Sequence, residues 1–279
     1  MAASPLPIQT PERVTWTCPL GLRFFDVATG RYVIDGLSVE ATAASGFSST
    51  VKSVLTPSGV HAFHRLPGLP SMDHIDQMDP WDPPPSTREY RIRVVDTMNR
   101  FIPVTFVIAA PFKGLEFPPI LGSPPYSDER GIPLFSAPTR LAPPGYVSVR
   151  ARLQQLATAN PAAYATIEIA YASAGRTAFA RGMADQAGQL LAFFPMPEGP
   201  RRGFGGSPPS GARVPEWPGT FSFFHDSGAP ADEYADYALR LSQPPASAYR
   251  DGSPGLLFTE AVLTYGEENN LGDLDLAAF

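Results

Sequence analysis

Residues 22–44, LRFFDVATGRYVIDGLSVEATAA, decide the fold. A strand-like run with Arg23 at its second place enters the turn Ala28-Thr29-Gly30-Arg31 and leaves through Tyr32, Val33 and Ile34. Gly30 supplies the positive φ that a tight hairpin or bulge needs. Asp35-Gly36 marks a second turn, after which residues 37–42 continue as strand. A weaker copy lies at residues 149–171, VRARLQQLATANPAAYATIEIAY, with Arg150 at its second place and Ala157-Thr158-Ala159-Asn160 at its turn. The echo continues further on. Residues 54–70, VLTPSGVHAFHRLPGLP, align with residues 183–200, MADQAGQLLAFFPMPEGP, with one residue gained. Each has a turn ending in glycine (Gly59, Gly188), a strand containing Ala-Phe and a Pro-rich exit. The chain therefore reads as all-β, two tandem copies of one Ig- or transthyretin-like β-sandwich module with long Pro-rich loops.

The bulk composition agrees. A chain of 279 residues suits two domains of about 100–150 residues. It is 43% hydrophobic, enough for two cores, and only 17% charged, below the roughly 25% of ordinary globular proteins. Its 33 prolines cluster between apolar runs, as at Pro83-Pro84-Pro85, Pro124-Pro125 and Pro208-Pro209. Proline fixes φ and lacks an N–H, so such clusters punctuate short strands and exclude helix interiors. No apolar period of 3.6 residues is sustained over 12 residues or more. A formal net charge of −6 argues against nucleic acid as the main partner, which would need a basic stripe. No window of about 18 uninterrupted apolar residues suggests a membrane span. The first residues lack a charged start followed by an apolar core. Synthesis in the cytoplasm is expected, with release or anchoring by a non-secretory route left open.

Along the chain, residues 1–12 read as a flexible arm and 13–111 as the first module. Residues 112–145 read as a Pro-rich apolar linker, 146–265 as the second module and 266–279 as a loose acidic tail. Within the first module, YRIRVV at 90–95 alternates Tyr90, Ile92 and Val94 on one face with Arg91 and Arg93 on the other. Residues 101–109 form an apolar strand. In the second, strands are expected at 147–153, 165–171, 177–184, 189–194, 220–224, 237–241 and 256–265, with one helical turn over 231–238 as the alternative to the strand at 237–241.

The candidates for chemistry are weak. His61, His64, Asp73, His74, Asp76 and Asp79 are metal-ligand types. However, His61 and His64 are three apart on a predicted strand and face opposite sides, and the acids lie in the loop 66–86. The spacing of Asp73, Asp76, Asp79 and Asp82 lacks the close alternation and glycine of a calcium loop. Cys18 is the only cysteine and reads as buried packing. Ser49-Thr50-Val51-Lys52 matches Ser-x-x-Lys, but on a strand and without companion motifs. Gly203-Phe204-Gly205-Gly206 precedes Pro208-Pro209 and not the helix N-terminus that a phosphate cradle needs. No convincing pair of glycosidase carboxylates stands out. No residue is assigned to catalysis, and no cofactor or metal is expected.

The second copy, with Pro161-Ala162, the Asp-x-x-Gly of residues 185–188 and the apolar strand 189–194, resembles the carboxypeptidase-regulatory-like, or transthyretin-like, β-sandwich. The first copy is similar with Thr56 to Gly59 in place of Asp-x-x-Gly. Such modules are implied to be non-catalytic scaffolds. The layout also resembles accessory structural proteins of phage-tail-like contractile injection systems. That resemblance is carried by Arg100-Phe101-Ile102-Pro103-Val104, by Pro133-Leu134-Phe135-Ser136-Ala137-Pro138, by Phe193-Phe194-Pro195 closing the second module's strand, and by residues 256–265. It implies a structural part at a cap, baseplate or sheath, and a symmetric homo-oligomer if the particle is a ring.

The expectation is a non-enzymatic structural or adaptor subunit whose partners are other protein subunits. Exposed strand edges would accept a neighbour's strand. The interface candidates are Trp81 in the long loop, Phe117, Ile120, Leu121, Tyr126 and Phe135 in the linker, and Leu271 and Leu274 in the tail. The alternatives are an extracellular carbohydrate- or cell-surface-binding module, which would present an aromatic platform, and an enzyme with its site in the long loops.

Overall fold

The computed structural model describes residues 14–15, 18–46, 49–69, 74–75, 86–112, 131–196, 216–250, 256–264 and 268–278. The first half supplies β1 (Val14–Thr15), β2 (Leu20–Leu22), β3 (Phe24–Asp26), β4 (Leu37–Ala43), β5 (Thr50–Lys52), β6 (Val54–Leu55), β7 (His61–Phe63), β8 (His74–Ile75), β9 (Arg88–Asp96), β10 (Val104–Ala110) and β11 (Ile132–Leu134). The second half supplies β12 (Tyr146–Gln155), β13 (Thr166–Ser173), β14 (Arg176–Ala184), β15 (Gln189–Pro195), β16 (Glu216–Phe224), β17 (Ala235–Asp236), the short helix α1 (Tyr237–Arg240), β18 (Pro245–Arg250), β19 (Glu260–Thr264) and β20 (Glu268–Ala278). The fold is all-β.

In the first module a sheet β17-β10-β9-β4-β5 accompanies β2-β7-β6 and the parallel pair β3-β11. The alternation of β9 does what its sequence dictates. Tyr90, Ile92 and Val94 are buried with Val39, Phe106 and Ile108, while Arg91 and Arg93 face out. In the second module the order is β13-β14-β15-β12-β20-β18-β16-β19, and β16 also pairs with β13, which closes a ring of strands. The ring's corners are short, Met183 opposite Leu191 and Ala184 opposite Leu190 on one side, Phe223 opposite Ala246 and Phe224 opposite Pro245 on the other.

The two modules share one hydrogen-bonding plan. Asp26 N–H donates to Arg31 O and Val33 N–H to Phe24 O, as Gln155 N–H donates to Asn160 O and Ala162 N–H to Leu153 O. Thr56 and Gly59 close their turn as Asp185 and Gly188 close theirs. The parallel pairing of β11 on β3 repeats as β20 on β12. One offset relates Asp26 to Gln155, Leu37 to Thr166 and Gly59 to Gly188. By that offset the partner of Arg23 is Arg152 and not Arg150, so the opening sequence echo is two residues out of register.

Several stretches differ from the sequence expectation, and β18 is a strand it did not include. Residues 268–278 are not a loose acidic tail but β20, held between β12 and β18. Leu271 and Leu274 are three apart, which a regular strand would send to opposite faces. A register shift in the β12–β20 pairing, with Gly272 at φ +78°, lets both face inward. Residues 237–240 are helical and not strand, because the Asp236 side chain accepts from Ala238 N–H and caps the turn. Within the expected linker, β11 and Phe135 belong to the first module's core. Arg140 is tied there by a fork to Asp26, with Nη1 at 3.0 Å from Oδ1 and Nη2 at 2.6 Å from Oδ2.

The modules are cross-linked by the connection between β16 and β18. It crosses to the first module, where β17 pairs in parallel with β10, Val104 opposite Ala235. Tyr237 follows and is fully buried in the first core. Its ring stacks on Phe106 at 6.1 Å, meets Phe135 edge-on at 6.4 Å, and its hydroxyl donates to Pro133 O at 2.5 Å. Removing the ring with Tyr237→Ala should cost about 3–5 kcal/mol, whereas Tyr237→Phe should cost about 1 kcal/mol, both read from urea unfolding. Gly188 lies at φ +74°, and an added Cβ would press into the Leu153 carbonyl. Gly188→Ala should therefore destabilise more than Gly145→Ala, where the φ is also positive at +82° but nothing lies within 4 Å.

Candidate interaction surface

Among the described residues, the residue types that could carry catalysis do not converge. Cys18 donates to Leu20 O at 2.9 Å, and burial pushes its thiol up, so it stays a packed, protonated group. Ser49 is exposed at a sheet edge, and Lys52 pairs with Glu40 at 3.4 Å on the surface. His61 is buried in β7 with Nδ1 3.0 Å from Ser53 Oγ, and its ring meets Phe24 edge-on at 5.4 Å. Asp73, Asp76, Asp79 and Asp82 lie outside the described residues. Among the described residues no group of three or more His, Cys, Asp or Glu could hold a metal ion.

Trp81, Phe117, Ile120, Leu121 and Tyr126 also lie outside the described residues. Phe135, Leu271 and Leu274 are core residues and not surface anchors, because their own module covers them. An interface on the described surface has to be built elsewhere.

Exposed apolar side chains gather where the chain changes sheets. β5 ends one sheet and β6 ends another. Between them Ser53 donates its N–H to Val39 O at 2.9 Å, which breaks what the sequence presents as one continuous strand. Val51 turns into the core. Beyond the break, Val54 and Leu55 are 57% and 41% exposed, and Ile34, which lies over Gly59, is 61% exposed. Tyr32 stands beside them with the Arg23 guanidinium 4.7 Å above its ring, and Arg23 reaches Ser58 O at 3.4 Å. Charge on an outer strand normally discourages edge pairing. Lys52 does this for β5, but β6 carries only Val-Leu.

The same positions in the second module are buried. By the offset that relates the two hydrogen-bonding plans, Ile34 corresponds to Ala163, Val54 to Met183 and Leu55 to Ala184. Ala163 and Met183 belong to the first module's core cluster, and all three are covered. The surface by which the second module sits on the first therefore has a counterpart on the first module that is apolar and open. Sequence alternation gave no sign of this, since Val54 and Leu55 read as ordinary strand residues.

No known protein family matches the chain, and no curated protein does. Solved structures with some likeness include a streptococcal ancillary pilin (8% identity, 94% of this chain and 63% of the other, TM-score 0.23). Others are the shaft pilin SpaA of Lactobacillus rhamnosus GG (7%, 94% and 98%, 0.22) and the TIE protein of Bacillus anthracis (11%, 94% and 52%, 0.23). The chain spans less than two thirds of the first of these. Likeness at these scores assigns neither fold nor function.

Burial holds the pKa of His61 down to about 4, from an ordinary 6.5. The neutral ring is the folded form, so its contribution to stability is complete above pH 6.5 and is lost as pH falls toward 4. Unfolding midpoints measured across that window should fall less steeply in His61→Gln than in the parent protein. An equal slope in both would assign the acid sensitivity to other groups, such as His225, which burial also shifts down.

Proposed function

We propose that this protein is a non-enzymatic structural subunit that assembles with other protein subunits through the open face at Ile34, Val54 and Leu55. One observation carries the reading: the second-module equivalents of Ile34 and Val54, Ala163 and Met183, pack in the first module's core. A surface that is half of an internal interface in one repeat is suited to the same contact in the other. The occupant is a second copy of this chain, offering the face of its second module that corresponds to the first module's docking face. Such a contact is heterologous, so copies join head to tail and close into a ring or continue as a filament. The finer reading is a part of a phage-tail-like contractile injection particle, at its cap, baseplate or sheath. It is supported by the order of the apolar segments in the sequence.

The test is the native assembly state. Tagged protein recovered from its own cells and viewed by negative-stain microscopy should come down with tail-like particles at a fixed copy number. Purified protein should self-associate with rising concentration in sedimentation. Ile34→Lys with Val54→Lys should weaken that association at least about tenfold, while changing folding stability by only about 0.5 kcal/mol, as exposed substitutions do. A lone monomer at all concentrations that co-purifies with nothing would end the reading.

A further inference from the structure

Strands β14, β13, β16 and β19 lie side by side, and their outward side chains form rows across the sheet. One row is Phe179, Ala170, Thr220 and Glu260. The row beside it has Thr177 opposite Ala172 and Pro218 opposite Val262. The alternate residues Ala180, Ile169, Phe221 and Leu263 face the module's own core. Phe179 is 60% exposed and Val262 64%. The side chains between them in these rows are Ala, Thr and Pro, so the face is apolar and shallow.

The first module shows that the fold does not require such a face. There the ion pair Lys52–Glu40 takes the place of Arg181–Glu168. With the two pairs set one on the other, the neighbouring row of the first module reads Thr50, Thr42 and Arg91, and its two threonine hydroxyls meet at 2.9 Å. In the second module Phe179, Ala170 and Thr220 stand there instead. Along the same face β9 exposes Glu89, Arg91 and Arg93, whereas β16 exposes Pro218, Thr220 and Ser222. Loss of charge from the middle of a face, with an aromatic ring gained, is the composition of a protein–protein contact. The exposed charges that remain stand at opposite rims: Arg176 and Arg181 on β14, and Glu216 and Glu260 toward β19.

We propose that this face packs on the same face of a second copy of the chain, about a two-fold axis parallel to the strands. Such an axis lays β14 of each copy over β19 of the other. Phe179 then rests near the second copy's Val262, and Arg181 approaches the second copy's Glu260, so the two rims meet with opposite sign. An axis across the strands would set Phe179 on Phe179 and arginine on arginine. The small central residues let the two sheets close to about 10 Å. Strand spacing and rise make the face about 15–20 Å on a side. That is the low end for a protein contact, so the dimer is weak and forms at high concentration. The contact is isologous and separate from the head-to-tail contact at Ile34, Val54 and Leu55, and neither needs the other.

The experiment is sedimentation of the full chain carrying Ile34→Lys with Val54→Lys, which removes the head-to-tail contact. This protein should pass from monomer to dimer with rising concentration and go no further. Adding Phe179→Glu should weaken the dimer at least about tenfold, because it sets a carboxylate against the second copy's Glu260. Phe179→Lys should weaken it several-fold less, because the same Glu260 then answers the charge. Both substitutions are at an exposed position and should leave the melting temperature in place. Within one chain Glu260 stands three strand spacings from Phe179, about 14 Å, so the difference between the two variants reads the contact between copies. Three results would overturn the proposal: a monomer at every concentration, a dimer indifferent to Phe179→Glu, or equal weakening by Glu and Lys, which is the pattern of Phe179 facing Phe179. A parent protein whose association stops at the dimer would instead sink the head-to-tail reading and leave this one standing.

Discussion

Much of this molecule depends on the burial of Tyr237. The residue is carried by the second module but buried in the first, with its ring between Phe106 and Phe135 and its hydroxyl on a backbone carbonyl of β11. To deliver it, the connection between β16 and β18 lays β17 along β10 and then turns in one short capped helix. That crossing fixes the second module against the first. It also brings Ala163, Tyr164 and Met183 into the first module's core cluster. A linker of ordinary composition would leave two domains free to move. Here the connection is itself core.

Polar groups follow from the same arrangement. Arg140 lies at the junction, forked onto the buried Asp26, with its guanidinium 4.9 Å from the Phe101 ring centre and 5.8 Å from that of Phe193 in the second module. Its charge is answered by a carboxylate. Arg240, on the other side of the crossing, is more fully enclosed and donates to the backbone carbonyl of Pro230. The first is held by a forked ion pair and the second by a backbone carbonyl and the face of Tyr164.

The repeat is close in its hydrogen bonds and unequal in its surfaces. The second module's corner strand, β14, runs unbroken and carries Arg176 and Arg181 at exposed positions. The first module's corner breaks at Ser53 and ends in Val-Leu. One copy has its docking face filled by its sister, and the other has it open. That inequality is what the proposed head-to-tail assembly rests on.

The all-β class, the tandem repeat, the turns at Gly30, Gly59 and Gly188 and the inward face of β9 were legible in the sequence, because each is a local matter of period-two alternation or of a φ that glycine tolerates. The strand at 268–278 was not. Its leucines break the alternation, and only a bulge against β12 restores it. Nor could the sequence show that Leu271, Leu274 and Phe135 would be covered while Ile34, Val54 and Leu55 would not, since all six are apolar and lie in short runs. Burial of a particular side chain is decided by which distant strand lies over it. The same holds for Arg240, which lies on the crossing segment and is buried because that segment docks. Local chemistry set the elements, and long-range packing set which of their faces were left for function.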